Sequence, residues 1–334
     1  MMPPRFRTSL LALVVIFLLA LLMVLVMFRS QTPPRPPLPS PNGYDDFVKA
    51  GEAVTENLDD FAQLDHDSLR ALVTTNAESL RLLRAGLTRQ CAMPMDSALT
   101  NLDLNQLGKM KRLVRLLTAE GRLREMDHRP ADAAHSYTDA IRFGNEMSRG
   151  GFIIHRLVGI ACEAIGCHAL AQIVPELSRE DSRIVLSELE KVDAGRVTWA
   201  EVRRNEKYYA RYQLRNQWNP LMWVMGWWQT RPAIQKAETQ HKIIVAHERL
   251  VAGELALRCY QSEQGHPPAH LDDVVTKYLA QVPQDPFTGQ PMIYRLQGTN
   301  WLLYSVGPDG ADDGGRPAAK GWPVKGDFRF DSPW

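Results

Sequence analysis

The fold of this chain is decided by its last quarter: QGHPPAHLDDV (264–274), VPQDPFTGQPMIYRL (282–296), WLLYSVGPDGADDGG (301–315) and GDFRF (326–330). Just before it, Ile243, Ala246, Leu250, Gly253, Leu257 and Tyr260 recur every three or four residues, which is one face of a helix. Gln264-Gly265 stops that helix, because glycine takes the left-handed conformation without a steric penalty. His266-Pro267-Pro268 cannot continue it. Residues 271–279 read as a short second helix with Leu271, Val274, Val275 and Tyr278 inward. Pro283 and Asp285-Pro286 force a turn, and Gly289 can take positive φ. Residues 292–296 and 301–306 are rich in β-formers. Gln297-Gly298-Thr299-Asn300 between them predicts a hairpin with a four-residue loop.

In this order the pieces resemble the C-terminal globular region of the major pseudopilin of type II secretion systems. That family has a long helix, a G-x-Y-P-type turn, a short helix, a D-P-W/F-G-type turn and a hairpin. An S-x-G-x-D-G loop and a D-I-type terminal strand follow. The matching pieces here are residues 265–268, 285–289, 305–310 and 327–330. The resemblance implies a small α+β head outside the cytoplasmic membrane and partners among secretion or envelope-assembly proteins. It also implies a calcium ion after the hairpin, where the matching acids are Asp309, Asp312, Asp313 and Asp327. Asp309, Asp312 and Asp313 place three carboxylates within five positions, among glycines. Calcium takes about 6–8 oxygen ligands, whereas magnesium demands compact octahedral geometry. The same Asp and Gly residues also suit a solvated acidic turn.

At the other end, residues 10–28, from Leu10 to Phe28, are nineteen apolar residues without a break. At ~1.5 Å per residue such a helix nearly spans a hydrocarbon core of roughly 30 Å. The run exceeds the apolar region of a cleaved signal peptide, typically about 7–15 residues, and FRSQTPP has no small-x-small cleavage site. It predicts an uncleaved single-pass anchor in the cytoplasmic (inner) membrane. It carries no acid, unlike the pseudopilin helix, so the head is expected on a different body. Arg5 and Arg7 before the run balance Arg29 and Arg35 after it. The outward placing of the body therefore follows from the resemblance and the short leading tail. Residues 31–42 hold six prolines, a stiff extended spacer. A net charge of +1 gives no electrostatic case for nucleic acid.

Residues 44–217 carry helix signals and almost no strand alternation. The expected helices are 45–64, 68–88, 102–126, 131–148, 151–174, 178–191 and 196–217, joined as antiparallel hairpins. Ser178-x-x-Asp181 is a capping pattern. LLTAEGRLREMDHRPADAAHSYTDAIRF (116–143) weakly resembles one tetratricopeptide repeat. Ala133, Ala134 and Ala140 are small where two helices would touch, with Tyr137 and Ile141 at the edge. Residues 218–229 hold four of the eight tryptophans. That segment reads as a buried hinge, or as an interfacial contact flanked by Arg215 and Arg231.

Residue chemistry offers no catalytic constellation to name. Cys91, Cys162, Cys167 and Cys259 read as small buried apolar residues, and Cys162 and Cys167 face different sides of one helix. His241 and His247, and likewise His266 and His270, lack zinc-ligand spacing and read as solvated or capped histidines. GGRPAAKG (314–321) fails the phosphate-loop spacing. The expected fold class is mainly α. Its parts are a transmembrane anchor (1–30), a Pro-rich linker (31–43), an all-helical body (44–217), a Trp-rich hinge and start of the long helix (218–242), and the α+β pseudopilin-like module with its β-hairpin (243–334). The expected function is a non-catalytic membrane protein with a structural or adaptor role in type II secretion or envelope assembly. The alternatives are a tetratricopeptide-like peptide binder and an enzyme whose active site is dispersed in sequence.

Overall fold

The computed structural model describes residues 15, 17, 18, 20, 21, 37–55, 61–94, 104–216, 220–317 and 324–332, with side chains except at 104, 211–216 and 220–230. The described chain is mainly helical, with one two-stranded antiparallel sheet. Nine helices occur among the described residues: α1 Gly43–Glu52, α2 His66–Thr75, α3 Ala77–Leu87, α4 Leu104–Met126, α5 Pro130–Met147, α6 Ile153–Ile173, α7 Arg179–Ala194, α8 Trp199–Asn216 and α9 Pro220–Gln264. The strands are β1 Ile293–Gln297 and β2 Asn300–Tyr304.

Several boundaries differ from the sequence reading, each for a local reason. The helix expected over 45–64 stops at Glu52, and the one expected over 68–88 breaks in two at Asn76. One buried side chain is involved in both. Asn76 Oδ1 accepts from the Thr55 N–H at 3.0 Å, and its Nδ2 donates to the Leu72 carbonyl at 2.9 Å. Asparagine competes with the helix for backbone groups in this way. The short helix over 271–279 is a single 3-10 turn, Leu271–Val274. Val275 is extended and Thr276 has φ +71, so two β-branched residues end it. The hairpin loop is two residues, not four. Gln297 pairs with Asn300, and Gly298 takes φ +64. Ser178 caps α7 as expected, accepting from the Asp181 N–H at 3.1 Å.

One core lies between α1 to α4 and the near faces of α5 and α6. Phe47 meets Phe143 edge-to-face with centroids 4.9 Å apart, a pairing worth about 0.5–1.5 kcal/mol beyond area burial. Arg84 ties three helices here, reaching Asp139 at 2.8 Å and Glu120, which Ser136 also bonds at 2.7 Å. The hairpin of 116–143 forms as read. Ala133, Ala134 and Ala140 are fully buried, and the Tyr137 ring fills the space a Cβ at Gly121 would need. Where α5 crosses α6, Gly144 and Gly159 bring the backbones together; a Cβ on Gly144 would sit 2.6 Å from the Gly159 carbonyl oxygen. The second core joins α5, α6, α7 and α9 to the C-terminal module.

α6 with its 3-10 extension, Ile153–Glu176, is the one helix among the described residues that is long and apolar enough to cross a membrane by length and composition. It contributes buried residues to both cores, and it carries two fully buried charges. Of residues 10–28, only five are described, all helical, with Phe17 and Leu18 exposed. The expected anchor otherwise lies outside the described residues. So do the side chains of the Trp-rich segment, whose backbone from Pro220 is part of α9. That helix runs 45 residues through Pro232, about 67 Å at ~1.5 Å per residue.

Candidate functional site

Two polar sites stand out. The first is an ionic ladder through the second core. Arg156 and Glu163 lie two turns apart on α6 and face α9, both without solvent exposure. The Arg156 guanidinium donates to both Glu163 oxygens, to His241 Nδ1 on α9 at 3.0 Å and to Ser148 Oγ at 3.3 Å. Arg196, in the turn between α7 and α8, reaches Glu163 at 3.4 Å, Glu248 of α9, and Asp193 at 3.1 Å. That turn is held open by Asn145, whose Oδ1 accepts from the Val197 N–H at 2.9 Å. Asp193 then meets Arg249 at 3.0 Å, and Arg249 donates to the Gln284 carbonyl of the C-terminal module at 2.8 Å. The ladder thus runs from the middle of the body to the head.

Such groups are costly to bury: each unpaired ion loses several kcal/mol of hydration, offset only by near-complete pairing. Here the pairing is nearly complete. Two carboxylates and Asp193 hold Arg196 above the ordinary arginine range, against its burial. Glu248 is the weak rung. Burial pushes its pKa up, Arg196 pulls it back, and its Oε1 has no hydrogen-bond partner. His241 and His247 are buried rather than solvated, which corrects the sequence reading. Burial holds His241 down to about 2 and His247 to about 3. Both face inward because α9 is covered on this side by α6 and by Phe328, whose ring lies 5.0 Å from His247. His155 is likewise held neutral by burial, down to about 4.

The second site is the acidic loop. The hairpin lies between α9 and this loop. Trp301 and Leu303 turn toward α9, with Trp301 Nε1 donating to Glu254 at 2.9 Å. Leu302 and Tyr304 turn toward residues 309–315. Asp312 accepts from the Tyr304 hydroxyl at 2.7 Å and the Gly314 N–H at 2.9 Å, and pairs with Arg295 at 2.6 Å. Asp327 is fully buried and accepts from the N–H groups of Gly315 at 2.6 Å and Asp313 at 3.4 Å. Asp309 accepts from Ala311 and Gly326, both at 3.2 Å. Of the four acids, Asp327 and Asp313 are thus joined through a main-chain N–H, Asp309 and Asp312 are held separately, and the exposed Asp313 side chain points to none of these donors. Among the described residues no three acids, histidines or cysteines converge as a metal-holding group. A calcium ion there would compete with the main-chain, Tyr304 and Arg295 donors from which these oxygens already accept.

Asp285, read from sequence only as a turn residue, does comparable work. Its buried carboxylate accepts from Phe287 at 2.8 Å and Val306 at 2.9 Å, which locks the D-P-F-T-G turn to the S-V-G loop. All four cysteines are buried and free, as read. Burial pushes their thiols up, Cys91 and Cys162 to about 12, so none is a ready thiolate. The ladder left one trace in sequence: Arg156 and Glu163 are opposite charges two turns apart inside an otherwise apolar helix. Arg196 left none, because only the fold brings its turn to α6. Compared with known proteins, the chain matches no family model, no curated protein and no solved structure.

Proposed function

We propose that this chain is a non-catalytic, single-pass membrane protein. In this reading a helical body carries a pseudopilin-like head outside the cytoplasmic membrane, in a structural or adaptor role in type II secretion or envelope assembly. The observation that carries the reading is mechanical. Among the described residues most of the buried apolar side chains of the head belong to the same core as those of α9. Leu303 seats on Gly253, the Phe328 ring packs at a tilt against His247, and Arg249 grips the Gln284 carbonyl, all on the helix that also closes the body. Charges buried inside the protein are consumed in holding this unit together, which suits a rigid strut. The apolar run 10–28 and the proline-rich spacer behind it supply the anchor and the reach.

The test is crosslinking in cells, from photoreactive residues placed on the head, followed by identification of the attached proteins. Recovery of secretion or envelope-assembly proteins, from membrane that retains the chain through alkaline carbonate washing, supports the reading. Release of the chain by carbonate would sink the anchor. Recovery of unrelated soluble peptides along the α4–α5 hairpin would favour a tetratricopeptide-like binder instead.

A further inference from the structure

The hairpin leaves part of one strand edge uncovered. Its two-residue turn makes Gln297 and Asn300 a hydrogen-bonded pair, and pairs alternate from there. Arg295–Leu302 and Ile293–Tyr304 exchange bonds across the hairpin. The main-chain groups of Trp301, Leu303 and Ser305 therefore point away from β1. Ser305 satisfies its own by exchanging bonds of 2.9 and 2.8 Å with Phe328. The two rungs before it are empty: among the described residues the outward N–H groups of Trp301 and Leu303 meet no acceptor. Their side chains do not shield them, being turned down onto Glu254 and Gly253. Folded proteins usually blunt such an edge with a charge, a proline or a bulge; NWLLY (300–304) has none.

The C-terminal segment would cover these rungs if it ran straight on from Phe328. It turns away instead. The Arg329 N–H donates to Ser332 Oγ at 2.8 Å, and the Ser332 N–H returns to the Arg329 carbonyl at 3.1 Å. What remains beside the edge is an open groove of about 340 Å³, lined by Glu254, Arg258 and Gln261 of α9 and by Arg329, Phe330 and Asp331. Its charges are already paired, Arg258 with Glu254 at 2.8 Å and Arg329 with Asp331 at 3.1 Å. The unmet chemistry is thus uncharged main chain.

We propose that the edge of β2 at Trp301 and Leu303 accepts an extended segment of a partner polypeptide as an added strand, in line with Asp327-Phe328. The groove beside the edge has room for a slender extended chain. The turn at 329–332 takes residues 329–332 off the line of that added strand. The proposal goes beyond the adaptor reading and does not need the membrane anchor, since the edge belongs to the fold.

The experiment uses the full chain in detergent micelles, with decapeptides selected on it from a random display library and then synthesised. Hydrogen exchange at residue resolution is the readout. In the free chain the Trp301 and Leu303 amides should exchange fast, while Ser305 and Leu302 are protected. A bound peptide should slow Trp301 and Leu303 by at least about tenfold. N-methylation of the peptide residues facing the edge should weaken binding about tenfold or more, and methylation of their neighbours should not. Trp301 and Leu303 amides already protected in the free chain overturn the proposal. Protection lost on dilution would assign the edge to a second copy, and protection that survives dilution to the chain's own end. A selection whose peptides leave both amides unprotected, or that yields no binder, overturns it as well.

Discussion

Replacing Arg156 with methionine tests the ladder at its most buried rung. The substitution leaves Glu163 with no solvent exposure and one cationic neighbour, Arg196 at 3.4 Å. It also strips the donors from His241 Nδ1 and Ser148 Oγ. Removing one partner of a buried ion pair costs about 3–5 kcal/mol, chiefly because the other charge stays behind. Glu163→Leu should cost a similar amount, since it strands Arg156 in the same place. The double variant removes both charges, while Arg196 keeps Glu248 and Asp193. It should therefore be more stable than either single variant, with a coupling of at least ~2 kcal/mol between the two positions. Urea unfolding of the purified chain, read as the shift in midpoint at constant m-value, gives all four corners of the cycle. Single variants that cost under ~1 kcal/mol, or a double variant whose cost is the sum of the singles, would refute the reasoning.

Gly159→Ala should destabilise the chain by about 1–3 kcal/mol, because its Cβ meets the Gly144 carbonyl rather than a side chain that can turn aside; an unchanged midpoint would contradict the close crossing. Acid should weaken the fold. His155, His241 and His247 stay neutral when folded but take up protons near the ordinary value of 6.5 when unfolded. Their stabilisation is fully present above 6.5 and is lost as pH falls toward the folded values, about 4 for His155, about 3 for His247 and about 2 for His241. Each histidine contributes up to ~1.4 kcal/mol per pH unit. Glu248, raised by burial, acts in the opposite sense, since its contribution is present at acid pH and lost as pH rises. The net loss between pH 6 and 5 should be about 2–3 kcal/mol per unit; urea midpoints that do not move from pH 7 to 5 would exclude it. For the acidic loop, melting curves with chelator and with millimolar calcium should coincide, and Asp312→Ala should lower both by freeing Tyr304, Arg295 and the Gly314 N–H. A calcium-dependent rise, abolished in the Asp312→Ala, Asp313→Ala double variant, would instead show that the loop opens to take the ion.

The helical class and most helices were legible, because apolar residues at a period of 3.6 mark a buried face independently of what covers it. Small residues gave the α4–α5 hairpin, and glycine with Asp-Pro gave the turns of the head. Three things were not legible. Asn76 breaks a helix through contacts to Thr55 and Leu72, and that role depends on where Thr55 lies in space. The register of the hairpin turned on Gly298 taking positive φ, which shortens the loop by two residues and decides which groups of β2 face outward. His241 and His247 read as surface residues because periodicity gives a helix its faces but not the number of neighbours. α9 is covered on both its body side and its head side. The sequence puts Asp309, Asp312 and Asp313 close together, but the partners of Asp312, which are Tyr304, Arg295 and the Gly314 N–H, come from the fold.

Body and head share one core along α9 and should therefore unfold as one cooperative unit. Native-state hydrogen exchange with increasing urea tests it most directly. The amides of Asp285, Met292, Ser305 and Phe328, all hydrogen-bonded in the head, should open with the same free energy and the same urea dependence as amides in the middle of α6. Opening of the head amides at a free energy several kcal/mol lower, while α6 stays protected, would show two independently stable parts and contradict the claim.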